Sequence, residues 1–567
     1  MAHDLVIRSG TVMDGTGQPP RTADVAIRGD RIVEVGKVDG RGTREIDAAG
    51  AIVAPGFVDI HTHYDGQATW DERLQPSSGH GVTTVVAGNC GVGFAPVRPH
   101  DHEMLVELME GVEDLPGVVL HEGLSWEWES IGDYLDALGR RRFDIDMAAQ
   151  VCHAPVRVYV MGERGANREP ATPDEIAEMG RIAAAGIEAG ALGFTTSRTL
   201  NHRTSRGEPT PTLTAARDEL VGIAAAIGRT GRGVLQVVSD FTVEGEGETL
   251  LEMMRASGRP LSFSLLQTTP GPSYRPRLEL LERANAEGLR MRAQVAARPV
   301  GVLLGLQTSI NPLARCPSFV AVSDLPLAEQ ARALAEPERR AQLVAEARAS
   351  MLGRPAKIFE LGDPPNYEPD PDDAIAVRAE KLGIDPVELY VDLLLADQGR
   401  SLLYLPVLNF ADGSLDAAAE MLGHAHTVPG LGDGGAHVGT ICDGSFPTTL
   451  LVHWARDRRH GTTFDLPFLI HRQSRATAEA VGLLDRGVLA PGYKADVNVI
   501  DFDHLALSPP RVVRDLPAGG KRLMQDAHGY VHTIVSGVET YTDGQPTGEL
   551  PGRLVRGQQR DSAEATR

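Results

Sequence analysis

Lysine is scarce. Among 55 basic residues only Lys37, Lys357, Lys381, Lys494 and Lys521 are lysines, so the positive charge is almost all arginine. The four cysteines, Cys90, Cys152, Cys316 and Cys442, are too few for a disulfide framework in 567 residues. The start, Met1-Ala2-His3-Asp4, lacks the basic region and apolar stretch of a secretory signal. No uncharged apolar run reaches the roughly 20 residues that a membrane helix needs. Together these absences predict a reducing cytoplasm. Basic residues are also outnumbered: 55 against 77 Asp and Glu gives a net charge of −22. That balance argues against nucleic acid and anionic membrane as main partners and leaves a small molecule. Hydrophobic residues at 42% and charged residues at 23% are ordinary globular values and exclude global disorder.

What is present organises in three stretches. The first 55 residues read as short strands: Asp4-Leu5-Val6-Ile7-Arg8, Ala23-Asp24-Val25-Ala26-Ile27 and Arg31-Ile32-Val33-Glu34-Val35, split by Gly10 and Gly29-Asp30. Similar strands return at Ala495-Asp496-Val497-Asn498-Val499-Ile500 and His532-Thr533-Ile534-Val535. Neither end alone has enough surface to bury a core, so one sandwich built from both is the economical reading. Between them, short apolar runs alternate with helical patterns. Candidate strands are 57–61, 82–87, 145–152, 191–195, 234–239, 261–266, 291–296 and 428–432. Helical stretches include 174–189, where Thr172 is placed to cap and Pro173 to open the first turn. This rhythm predicts an α/β fold, a (β/α)₈ TIM-type barrel with a composite β-sandwich. The boundaries expected are sandwich 1–55, barrel 56–485 with a mostly helical insertion at about 300–427, sandwich 486–555, and a frayed tail 556–567.

In such a barrel the chemistry sits at the C-terminal ends of strands. The first strand ends in Pro55-Gly56-Phe57-Val58-Asp59-Ile60-His61-Thr62-His63. Residues i and i+2 of a strand share a side, so His61 and His63 can aim two imidazoles at one cation. The apolar strand and Pro-Gly entry before them weigh against two idle surface histidines.

This motif resembles the first metal motif of the amidohydrolase superfamily. Gly10-Thr11-Val12-Met13-Asp14-Gly15-Thr16-Gly17 and Gly487-Val488-Leu489-Ala490-Pro491-Gly492-Tyr493-Lys494-Ala495-Asp496 are similar to its sandwich segments, so the resemblance covers nearly the whole chain. Within the superfamily the best match is the N-acyl-D-amino-acid deacylase (D-aminoacylase) branch. Gly81-Val82-Thr83-Thr84-Val85-Val86-Ala87-Gly88-Asn89-Cys90-Gly91 resembles its second strand, which implies that Cys90 is a metal ligand. A buried free cysteine is otherwise a small apolar filler. Gly432-Asp433-Gly434-Gly435 falls at the branch's eighth-strand aspartate. The resemblance implies that Asp433 is both ligand and proton shuttle. His153 and Arg157 match a third-strand segment and are expected to orient substrate.

The sequence departs from the branch in two ways. The branch carries a ligand histidine at the ends of strands five and six. Here those segments read Val234-Leu235-Gln236-Val237-Val238-Ser239-Asp240 and Ser262-Phe263-Ser264-Leu265-Leu266-Gln267, and the matching positions fall near Val238 and Leu265. A carboxylated lysine cannot bridge two metals either, because no lysine lies between Lys37 and Lys357. The expected centre is thus one divalent cation, zinc, on His61, His63, Asp433 and Cys90, with Asp240, His202 and His437 as substitutes if they face the mouth. The second departure is the run Ala436-His437-Val438-Gly439-Thr440-Ile441-Cys442-Asp443-Gly444-Ser445. It lacks the branch's carboxylate-binding arginine, which leaves His437 as a substrate contact. Arg198, Arg203, Arg206 and Arg298 are candidates for an anion site elsewhere.

Three readings follow. The first is a metal-dependent hydrolase of an amide-like C–N bond. The second is a barrel enzyme of the same superfamily with non-amide chemistry (lactone or ester opening, elimination, proton transfer) and little need of metal. The third is a non-catalytic binding protein, against which the retention of His61, His63 and Asp433 argues. Folds of this kind are commonly homo-oligomers, but nothing in the sequence sets a number.

Overall fold

The computed structural model describes residues 3–350 and 357–560. Eight parallel strand segments form its centre: Phe57–Asp59 (β1), Val82–Ala87 (β2), Asp146–Ala149 continued by Val151–Cys152 (β3), Gly193–Arg198 (β4), Val234–Ser239 (β5), Leu261–Ser264 (β6), Met291–Val295 (β7) and Thr427–Pro429 (β8). Each pairs in parallel with the next. Beyond β8 the chain returns to β1 through a parallel bridge, Thr62 to Gly434, with the Asp433 N–H donating to the His61 carbonyl. All six residues of β2 are buried, as expected of a parallel strand covered on both faces.

Helices separate the strands. Pro173–Ala189 is capped by Thr172, whose hydroxyl accepts from the Glu175 N–H while the Glu175 carboxylate accepts from the Thr172 N–H. The chain's two ends share one nine-stranded sheet. In it Val497–Ile500 pairs antiparallel with Ile52–Pro55, so the last segment of the chain completes the first. A buried charge cluster fastens that sheet to the strand ring: Arg486 and Lys494 each reach the Asp146 carboxylate at 2.8 Å.

One expectation needs correction, that of the tail. The insertion carries strands among its helices. Val300–Leu304, Leu403–Leu408 and Phe359–Glu360 form a small antiparallel sheet, packed with helices such as Pro386–Leu395 on a separate apolar core that includes Leu313, Leu343, Ile375 and Val391. The tail is held rather than frayed over 556–560. Val555 and Gly557 donate to the Met147 and Gly190 carbonyls, and Gln559 to that of Gly482. A polar composition hid these main-chain bonds, which no side-chain pattern reveals. Residues 561–567 lie outside the described residues. Among the described residues no helix is long and apolar enough to cross a membrane.

Glu368 pins the insertion to the helical region after β8. It accepts from Arg458 Nε at 3.1 Å and from the Leu415 N–H at 2.8 Å, and faces His453 Nε2 at 2.8 Å. Burial opposes its ionisation, but His453, Arg458 and the Leu415 N–H outweigh that and bring it down to about 2. A depressed carboxyl contributes stability above its unfolded value near 4.5 and loses it as pH falls toward 2. The contribution is on the order of 2 kcal/mol after solvent screening. Glu368→Gln is therefore expected to be less stable than wild type in urea at pH 7, with the gap closing between about pH 5 and 2. A gap independent of pH would contradict this.

Candidate metal centre

His61 and His63 follow β1 on either side of Thr62, and each is 1% exposed. Two tight turns bring their partners to them. Asn89-Cys90-Gly91 follows β2, with Cys90 in the left-handed region (φ 56°). Gly91 lies so close to β4 that a Cβ would stand 2.7 Å from the Thr196 backbone, so only glycine allows the turn. Asp433 follows β8, also with a positive φ, of 44°.

His61 Nε2 lies 3.3 Å from Cys90 Sγ and 3.3 Å from Asp433 Oδ1. His63 Nε2 lies 3.5 Å from the same Asp433 oxygen. Ligand atoms of His61, His63 and Cys90 all fall within 4.8 Å of one another. In a tetrahedral site, bonds of about 2.0–2.1 Å to N and O and about 2.3 Å to S put neighbouring ligand atoms roughly 3.3–3.6 Å apart. Asp433 Oδ1 is buried without a hydrogen-bond donor. The donor set and its spacing therefore fit one divalent cation.

The electrostatics differ between the two imidazoles: burial would lower His63, but Glu113, Cys90 and Asp433 outweigh it and raise the ring well above its ordinary value, so a cation there has a proton to displace. Burial pushes His61 down to about 4, assisted by His63, so its ring is neutral at pH 7 with a lone pair to give. Burial opposes ionisation of Asp433, but His63, His61 and His437 outweigh it and hold the carboxyl well below the usual range. Burial also pushes the Cys90 thiol up to about 12, so a nearby cation is what would make it a thiolate.

The other sequence candidates stand outside this donor cluster, some of them beside it. His437 is beside the centre, with Nε2 3.8 Å from Glu113 Oε2, and its side chain is 31% exposed. His153 and Arg157, expected to orient substrate, turn into the core here. Both are fully buried and converge on Glu219 Oε1 at 3.0 and 2.8 Å, with Arg157 also donating to the Gly165 carbonyl. A third-strand match fixes their position along the chain but not the face to which they turn. Asp240 is spent on Thr199 Oγ1 and the Leu200 N–H, and His202, near enough to the centre to feel His437, His63 and Asp433, pairs Nδ1 with Ser197 Oγ. Arg198, Arg206 and Arg298 are committed to Glu246, Glu107 and Asp443, and Arg203 donates to the Gly207 carbonyl, so they form no anion site.

Three residues escaped the sequence reading. Gln294 on β7 places Oε1 2.6 Å from His61 Nδ1 and donates to Ser262 Oγ. Glu113, the last residue of helix His102–Glu113, places Oε1 3.2 Å from His63 Nδ1. Gln236 on β5 is buried, and neither amide atom has a hydrogen-bond partner. The only available signal was a glutamine inside each of two apolar strands and an acid at a helix C-terminus, where acids are disfavoured.

The amidohydrolase family profile matches residues 44–541, and this chain belongs to that family. Within it the chain falls in the D-aminoacylase-like branch. It is 26% identical to the D-aminoacylase of Alcaligenes xylosoxydans xylosoxydans, over 97% of each chain. It is 27% identical to the N-acyl-D-glutamate deacylase of the same organism, over 98% of this chain and 96% of the relative. Among solved structures, the N-acyl-D-glutamate deacylase of Bordetella bronchiseptica, complexed with zinc and a phosphonate inhibitor, superimposes with a TM-score of 0.65. It is 25% identical and is matched over 98% of this chain and 100% of its own.

Proposed function

We propose that this chain is a metal-dependent hydrolase that cleaves an amide-like C–N bond of a small molecule, using one divalent cation on His61, His63, Cys90 and Asp433. The parallel strands are read as a closed (β/α)₈ barrel over 56–485, with 1–55 and 486–555 as one composite β-domain. The observation that carries the proposal is the convergence of two imidazoles, a thiol and an orphaned carboxylate at tetrahedral spacing. The positions near Val238 and Leu265 hold apolar side chains, so the strand-five and strand-six ligands of the branch are replaced by nothing that binds a cation there.

When bound, a divalent cation acidifies water and polarises a carbonyl. The chain's own residues do the rest. His61 and His63 fix the donor geometry from one strand end. Asp433, kept ionised, accepts a proton from the attacking water and delivers it to the leaving nitrogen. The relatives' names make N-acyl-D-amino acids the first substrates to try. The absence of an arginine from 436–445 makes uncharged N-acyl amines the second.

Metal analysis of the purified protein is expected to find one ion per chain, zinc first among the candidates. Amine release from an N-acyl panel should stop on chelation and return with zinc. An ion-free protein that zinc does not activate would overturn the proposal. Full activity on an ester after exhaustive chelation would favour the non-amide reading.

A further inference from the structure

Glu113 is placed at high cost. It is 1% exposed, neither carboxylate oxygen has a hydrogen-bond donor, and it ends a helix whose C-terminal dipole repels an anion. Its place is nevertheless enforced. The Glu113 carbonyl accepts from the His437 N–H, and Asp114, at φ 49°, accepts from the Gly439 N–H at 3.3 Å. The turn at 113–114 is thus clasped to the turn that follows Asp433. Its side chain meets His63 at Nδ1, 3.2 Å away, whereas His63 Nε2 faces Asp433 on the ring's other side. The carboxylate therefore stands behind the imidazole and outside the donor cluster. His63 Nδ1 is itself buried and, at 3.2 Å from the Glu113 oxygen, makes an ionic contact rather than a well-formed hydrogen bond. His61 has the matching arrangement, with the Gln294 amide oxygen behind its Nδ1.

We propose that Glu113 is a positioning residue for the cation site: its carboxylate holds His63 with the proton on Nδ1, so that the Nε2 lone pair is free and strengthened for the metal. The two imidazoles would then be tuned differently, His61 by a neutral amide and His63 by an anion. A carboxylate buried without donors is tolerated because it is balanced once a cation sits across the ring. This rests on the reading of His61, His63, Cys90 and Asp433 as the cation site.

The test measures zinc and cobalt affinity of the full chain by chelator competition, together with the melting temperature of the metal-free protein. Glu113→Gln is expected to weaken affinity by about 10–100-fold. The same change should leave the metal-free melting temperature equal or higher, because a buried carboxylate that no donor satisfies is removed. Unchanged affinity overturns the proposal. So does a parallel fall in metal-free stability, which would make Glu113 merely structural. Should Glu113→Gln fail to fold, Glu113→Asp keeps the charge but withdraws it from the ring; a smaller loss of affinity is expected, and wild-type affinity there overturns the proposal. If the wild-type chain binds neither ion, the site itself is misread and this inference falls with it. Tight wild-type binding with an indifferent Glu113 variant would sink the inference alone.

Discussion

Asp433→Asn is expected to lower kcat by about 10²–10⁴-fold, the usual worth of a positioned proton-transfer group. The substitution is chosen because it preserves shape. Asparagine tolerates the positive φ of 44° at this turn, so the chain path after β8 should survive. What is lost is the charge. Oδ1 stands 3.3 and 3.5 Å from His61 and His63 Nε2 and accepts no hydrogen bond within the protein. An amide there can neither take a proton from water nor return one to a leaving nitrogen. Metal content is measured alongside, because Asp433 is also counted among the donors. With the ion retained, a rate loss reports proton transfer; with the ion lost, it reports binding. A variant that keeps its ion and loses less than tenfold in kcat would remove Asp433 from the proton-transfer role.

The centre was partly legible in the sequence because its residues lie at element ends with local signals. Strand alternation put His61 and His63 on one side, and the glycines around Cys90 and Asp433 marked turns that aim a side chain. Glu113 was illegible for a physical reason. It lies in a stretch, Met109-Glu110-Gly111-Val112-Glu113-Asp114, that reads as an ordinary amphipathic helix end, and its partner His63 is far away along the chain. Gln294 and Gln236 suffered likewise, since polar groups on parallel strands are satisfied or stranded by neighbours that only the strand pairing supplies. The helical rhythm of the insertion was readable, but its small sheet was not, because Val300–Leu304 and Leu403–Leu408 pair across about a hundred residues.

His153 and Arg157 show the limit from the other side, and they yield the largest expected effect on stability. Glu219→Ala is expected to destabilise the fold by about 3–5 kcal/mol, the usual result of stranding one member of a buried ion pair. The pair is enclosed: Glu219 and His153 are 1% and 0% exposed, and Arg157 0%. One oxygen, Oε1, faces both His153 Nε2 and Arg157 Nε, and Arg157 spends its other nitrogens on the Gly165 and Glu169 carbonyls. Removing the carboxylate leaves a guanidinium that cannot deprotonate in a core with no counter-charge. Burial opposes ionisation of Glu219, yet His153 and Arg157 together hold its carboxyl below the ordinary range. Its contribution is thus full above the ordinary glutamate value and lost as pH falls from there through the depressed native value, so the penalty of Glu219→Ala should shrink in acid. Arg157→Met together with Glu219→Leu should cost far less than Glu219→Ala alone, since no charge is then left unpaired. Denaturant unfolding at pH 7 checks the stabilities. KM for any substrate found should be unchanged in the folded fraction. A rise in KM of tenfold or more with stability intact would return these residues to the substrate-contact role that the third-strand match implied.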